Sequence, residues 1–163
     1  MKKNKIVMVI FLFLLSFLWH FVYDWFPSVV TSLFFPVNES IWEHMKIIYF
    51  VILIGSIIEK NKNYYLRLLV KPVVGVLFYL IVFIPLYLIF GESFIISVLL
   101  MLITYIVVEL LDIKLNSIEE LRIVVLPIVI IILIIIFFIL LTYYPPHNFL
   151  FFDSIKLGYG ILK

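Results

Sequence analysis

Residues 123–142, IVVLPIVIIILIIIFFILLT, hold no Asp, Glu, Lys, Arg or His in twenty consecutive positions. A run of that length is a membrane span. An α-helix needs about 20 apolar residues to cross the hydrocarbon core, and it satisfies its own backbone hydrogen bonds on the way. Working outward from this stretch, four others read alike, and the full set of spans is 5–25, 40–58, 71–90, 93–113 and 120–144. The predicted fold class is all-α: a polytopic membrane helical bundle of five transmembrane helices forming a single integral membrane domain over residues 1–163, with a tail at 145–163.

Composition agrees. The mean hydropathy of +1.30, with 66% hydrophobic and 13% charged residues, excludes an ordinary soluble domain, in which charged residues run near ~25%. The net charge of +2 is too small to point to nucleic acid. With no cysteine, disulfides, iron–sulfur clusters and thiolate zinc sites are excluded. The chain also has no alanine and is rich in Ile, Phe, Lys and Asn, which reads as the coding bias of an AT-rich bacterial genome.

Each break between spans has a local cause. The basic start, Met1 to Lys5, and the apolar run to Trp19 could pass for a secretory signal, but no small-residue cleavage site follows, so an uncleaved first helix is expected. Pro27 and Pro36 bracket a segment too short to cross, which reads as interfacial or re-entrant. Ser40-Ile41-Trp42-Glu43 matches a capping box at the start of the second span. Gly91-Glu92-Ser93 is short enough to make spans three and four an antiparallel hairpin, and Pro145-Pro146 ends the fifth. Pro85 and Pro127 are expected to kink the spans that contain them.

Lys and Arg decide the orientation. With the N-terminus inside, nine lie on the inner side (Lys2, Lys3, Lys5, Lys60, Lys62, Arg67, Lys71, Lys114, Arg122) and three outside (Lys46, Lys156, Lys163). The positive-inside rule then gives N-in, C-out, in the cell (cytoplasmic) membrane. Trp19, Trp25 and Trp42 are placed together in the outer interfacial belt.

That orientation gathers His20, Asp24, Glu39, Glu43, His44, His147 and Asp153 on the outer face. His20 and Asp24 are four apart and share a helix face, as do Glu39 and Glu43, with Lys46 three further on. His44 lies one position, about 100°, round from Glu43. Imidazoles with carboxylates are the ligand set for zinc, manganese or non-haem iron. The candidate metal ligands are His20, His44, His147 and Asp153, with zinc the first choice of divalent metal. Glu43, His44 and Glu39 are the candidate catalytic groups, and Glu43 is the expected general base on a metal-activated water. Asp24, Asn38, Trp42, Lys46 and Tyr159 are supporting or substrate-side candidates. A purely structural origin is open for each: Glu43 as the capping-box acid, Glu39 as an acid favoured at a helix N-terminus, His147 as a loop residue, and His20 as a partner of Asp24. At the inner end, Glu109 and Asp112 read as a structural ion pair reaching Lys114 or Arg122. Asn38-Glu39-Ser40 fits a glycosylation sequon, for which capping is a sufficient explanation.

The stretch Pro36-Val37-Asn38-Glu39-Ser40-Ile41-Trp42-Glu43-His44-Met45-Lys46 resembles the PVNES-[VI]-WEH-hydrophobic-K signature of a family of small, uncharacterised bacterial integral membrane proteins. Pro145-Pro146-His147, Phe151-Phe152-Asp153 and Tyr159-Gly160-Ile161 are similar to that family's C-terminal PPH, FxD and YGI pattern. The resemblance implies that Asn38, Glu39, Trp42, Glu43, His44, His147, Asp153 and Tyr159 are signature positions, and it implies no reaction.

Three function classes remain. One is a metal-dependent or acid–base hydrolase or transferase acting on a lipid or membrane-anchored substrate. Another is a non-catalytic sensor, immunity or assembly subunit that binds a partner on its outer face; a haem held by His20 and His44 is a variant without an attachment motif. The third is a small transporter, disfavoured because the span interiors hold no ionisable group.

Overall fold

The structure, a computed structural model, describes residues 3–91, 93–119 and 123–161. Lys2, Glu92, Arg122 and Lys163, which entered the charge count and the turn reading, lie outside these residues. Among the described residues, five helices are long and apolar enough to cross a membrane: α1 (Lys3–Trp25), α3 (Ile41–Ile58), α4 (Tyr64–Phe90), α5 (Phe94–Leu115) and α6 (Val125–Tyr143). A six-residue helix, α2 (Val29–Phe34), fills the connection after α1, and a two-stranded hairpin, β1 (Phe152–Asp153) with β2 (Gly158–Tyr159), shapes the tail. The chain is a multi-pass membrane protein whose apolar helix surfaces meet lipid.

The most apolar span is not the core. α6, which contains the charge-free run, is peripheral and turns Val125, Leu133 and Phe137 outward. The least apolar span, α3, is the most buried. A lipid-facing surface must be apolar, whereas an interior helix can carry polar groups provided that each finds a partner. α3 packs against both α1 and α4. Contact with α4 is close at Gly75, where a Cβ would lie 2.4 Å from the Ile52 side chain.

Three boundary readings need correction. α4 begins at Tyr64, seven residues before the predicted start, because Arg67 and Lys71, one turn apart, are both buried and ion-paired. Pro127 is the third residue of α6, so its missing N–H is one of those that no helix bonds internally and no kink is needed. The capping box at Ser40 is half formed. The Glu43 N–H donates to Ser40 Oγ at 3.3 Å, but Ser40 N–H donates to Asn38 Oδ1, and the Glu43 carboxylate reaches past the cap to Val37 N–H at 3.1 Å. A reciprocal box forms instead one helix earlier, between Ser28 and Thr31 of α2.

The end of the bundle at which α1 begins is closed by six buried or half-buried charges among the described residues. Lys5 on α1 pairs with Glu59, Glu109 and Asp112. Arg67 and Lys71 on α4 pair with the same acids. Glu109 and Asp112 are thus partnered by Lys5, Arg67 and Lys71, not by Lys114, which is exposed. Three cations against three acids leave the cluster neutral, as burial demands.

Candidate functional site

At the opposite end the predicted polar residues divide into three groups. Position round α3 explains the division, since neighbours in sequence point about 100° apart.

The first group is a scaffold. Lys46, fully buried, donates to the Ser32 carbonyl at 2.9 Å and to Thr142 Oγ1 at 3.0 Å, and pairs with Glu43 at 2.7 Å. Thr142 donates in turn to Glu43 Oε1 at 2.8 Å. Both oxygens of Glu43 are therefore engaged, in a knot joining α2, α3 and α6.

The second group holds the tail over the N-terminus of α3. Asn38 Nδ2 donates to the Gly160 carbonyl at 2.7 Å, Glu39 N–H to Asp153 Oδ2 at 3.1 Å, and Trp42 N–H to the Leu150 carbonyl at 2.8 Å. Asp153, fully buried, also accepts from the N–H groups of Ile155 and Lys156. The Trp42 indole stacks on Phe151, with centroids 5.0 Å apart. Gly160 has φ +69°, and a Cβ there would meet Pro145 at 3.3 Å, so both conformation and space favour glycine. His147 is exposed and lies flat on Tyr159, with ring centroids 4.5 Å apart. The segments around residues 36–46 and 145–161 therefore interlock, and Asn38, buried in that joint, is no glycan acceptor.

The third group is the chemical one. Nε2 of His20 and Nε2 of His44 each lie 3.5 Å from Glu39 Oε2. Nδ1 of His44 faces the Ser40 carbonyl at 2.9 Å, a contact that places the proton on Nδ1 and leaves Nε2 as the free lone pair. Nδ1 of His20 is buried without a hydrogen-bond partner among the described residues, and its ring packs against Phe21 and His44, with centroids 4.9 and 5.3 Å away. The Glu39 carboxyl is held below the ordinary carboxylate range, chiefly by its contact with the His20 imidazole, against the opposing effect of burial. These three side chains can present one ligand atom each to a common metal ion. Of the sequence candidates, His20, Glu39 and His44 are brought together; His147 and Asp153 belong to the tail joint and Glu43 to the scaffold. Asp24, exposed, lines a small pocket of about 150 Å³ beside His20 and Glu39, with Asn38 and Lys156 on its other walls.

The group stands at the edge of a larger cavity of about 330 Å³ between α1, α3, α4 and α5. Its walls are mostly aromatic and aliphatic, Phe17, Ile48, Phe83 and Met101 among them, and Phe152 and Ile155 of the tail border it. Ser16, Tyr79, Tyr87 and Ser97 are the lining hydroxyls on the helices that sequence reasoning passed over. No period-based signal marks them, because a lone Ser or Tyr in an apolar span reads as ordinary packing. The tryptophans also divide: Trp25 is exposed, whereas Trp19 donates to the Phe34 carbonyl at 3.0 Å and Trp42 is packed under the tail.

Over residues 1–161 the chain matches a family described as a family of unknown function, DUF6512. It belongs to that family. No curated protein matches it. No solved structure does either.

Proposed function

We propose that this member of DUF6512 is a membrane-embedded hydrolase of the cell membrane, its outer face carrying a divalent metal, zinc first, held by His20, Glu39 and His44. The observation that supports it most is the placing of two imidazole Nε2 atoms 3.5 Å from one carboxylate oxygen. Ligands on a tetrahedral zinc with bonds of about 2.0 Å stand about 3.3 Å apart, so the three donors need only small movements to share an ion. Two histidines and one carboxylate also leave a position open, as catalytic sites require and closed structural sites do not.

The metal would polarise a scissile carbonyl and lower the pKa of an attacking water. The chain's own residues supply the rest. His44 is oriented by the Ser40 carbonyl, and Glu39 is fixed through its own N–H on Asp153. Glu39 has a second oxygen, Oε1, with which to accept the water proton and return it to the leaving oxygen. The water oxygen bonds to the carbonyl carbon, the ester C–O bond breaks, and acid plus alcohol result. Glu43, with both oxygens bound, serves the scaffold in this reading, so the base moves from Glu43 to Glu39. The apolar cavity beside the group suits a substrate that resides in the bilayer.

The test is hydrolysis of a fluorogenic acyl ester by the purified protein in detergent. A chelator and, separately, His44→Ala should each remove turnover, and zinc should restore it only to the wild type. Turnover indifferent to both would overturn the reading.

A further inference from the structure

We infer that the cavity beside His20, Glu39 and His44 is a site for one acyl chain, entered from the outer leaflet with the chain's carbonyl end left at the three ligands. The chemistry at the mouth rests on the hydrolase reading above; the seating of the chain does not.

Depth comes first. Tyr87 and Tyr79 both line the cavity, eight residues apart on α4, and so span about 12 Å along its axis. On α5, Phe94 and Met101 are seven apart and span about 10.5 Å. The polar ligands lie at the outer end of this shaft, and its walls below them are mostly aromatic and aliphatic, interrupted by the hydroxyls of Ser16, Tyr79, Tyr87 and Ser97. At the inner end Ser16, whose hydroxyl is bonded to Tyr105 and to the Leu12 carbonyl, closes the shaft with Tyr79. A mostly apolar cavity of about 330 Å³ with its ionisable groups at one end matches an amphiphile with a single chain better than a peptide or a sugar.

The entrance is apolar too. Phe21, Phe94, Phe149 and Ile155 line the cavity and are all exposed, Phe94 at 76%. Water-borne substrates meet polar rims, whereas a rim of exposed aromatic rings at headgroup level meets lipid. α1 and α5 are tied at Ser16–Tyr105 and again at Lys5 with Glu109 and Asp112. Above those ties, Phe17 and Phe21 of α1 and Phe94 and Val98 of α5 border the cavity, so the chain enters between the outer ends of these two helices. The smaller pocket beyond His20 and Glu39, with Asp24 and Lys156, receives the polar part.

Length gives the inference its sharpest consequence. A shaft of about 12 Å holds an extended chain of roughly ten carbons at roughly 1.2 Å per bond. Affinity should therefore rise by about fourfold per methylene up to that length and then level off. The experiment is native mass spectrometry of the purified full chain in a steroid-based detergent. It is titrated with saturated fatty acids of increasing length and, in a second series, with lysophosphatidylcholines bearing the same chains. A plateau in both series identifies the chain as the recognised element; a plateau with the lysolipids alone still supports the site and adds a headgroup requirement.

Met101→Trp, which fills the inner part of the shaft, should move the plateau to shorter chains without changing bound zinc. Val98→Phe, nearer the mouth, repeats the test should Met101→Trp lower the unfolding temperature. Affinity independent of chain length, or a plateau that stays put in a stably folded variant, overturns the inference. A wild-type protein that holds no metal as purified yet binds the chains removes the metal reading and leaves the chain site standing.

Discussion

Replacing Glu43 by Gln separates the scaffold from the chemistry. In the structure the Glu43 carboxylate accepts from Val37 N–H and Thr142 and neutralises the fully buried Lys46. Gln keeps the shape and can keep one or both hydrogen bonds, but it leaves an ammonium group in the protein interior with only Ser32 and Thr142 as partners. Removing one member of a buried pair costs about 3–5 kcal/mol. For a chain of this size that is on the order of 10 °C in unfolding temperature, at about 2–4 °C per kcal/mol. Thermal unfolding in detergent should show the loss, while zinc per folded molecule stays at the wild-type level. The double variant Glu43→Gln/Lys46→Met should recover most of the stability, because no orphan charge remains. If Glu43→Gln unfolds at the wild-type temperature yet loses zinc or ester hydrolysis, the carboxylate belongs to the reaction and its assignment to the scaffold is wrong.

Asp153→Asn should weaken zinc binding by about 10–100-fold without removing a ligand, since Asp153 orients Glu39 through its N–H; a titration with a competing chelator measures it, and an unchanged affinity would show that the tail does not position the site. Acid should act in two ways. It should strip zinc, because protons compete with the metal for its imidazole and carboxylate ligands. The stability due to Glu39, whose carboxyl titrates below its unfolded value of about 4.3, is complete above that value and is lost only as the pH falls further, through the folded one. Zinc content and unfolding temperature followed against pH measure the two effects, and an unfolding temperature that does not fall in acid would remove the stabilising role of the ionised Glu39. A reporter fused after Lys163 should behave as extracytoplasmic, whereas cytoplasmic behaviour would turn the His20–Glu39–His44 face inward.

The spans were legible because lipid demands uniform apolarity over a fixed length. That demand also hid which helix is central, since α6 satisfies it best by facing lipid and α3 satisfies it least by being enclosed. The start of α4 was missed for the same reason: Arg67 looks like a loop residue, and Lys71 like the first of the span, until Glu59, Glu109 and Asp112 are seen around them. At the end of the bundle where α3 begins, the residues were found but their grouping was not. The step of about 100° from Glu43 to His44 already separates scaffold from site, yet it does not say which of the two faces α1. Nor could spacing show that Asp153 would bond the backbone of Glu39, or that His147 would lie on Tyr159, because both contacts join segments more than a hundred positions apart or close only within the folded tail. Tertiary hydrogen bonds of this kind leave no periodic trace.

The most direct test of the account is the metal content of the purified protein, measured by elemental analysis on the wild type and four single variants. The account predicts one zinc per chain in the wild type and in His147→Ala, and loss of it in His20→Ala, Glu39→Gln and His44→Ala. A wild type free of metal, or a His147→Ala protein that loses it while His20→Ala keeps it, would contradict the assignment of the site to His20, Glu39 and His44.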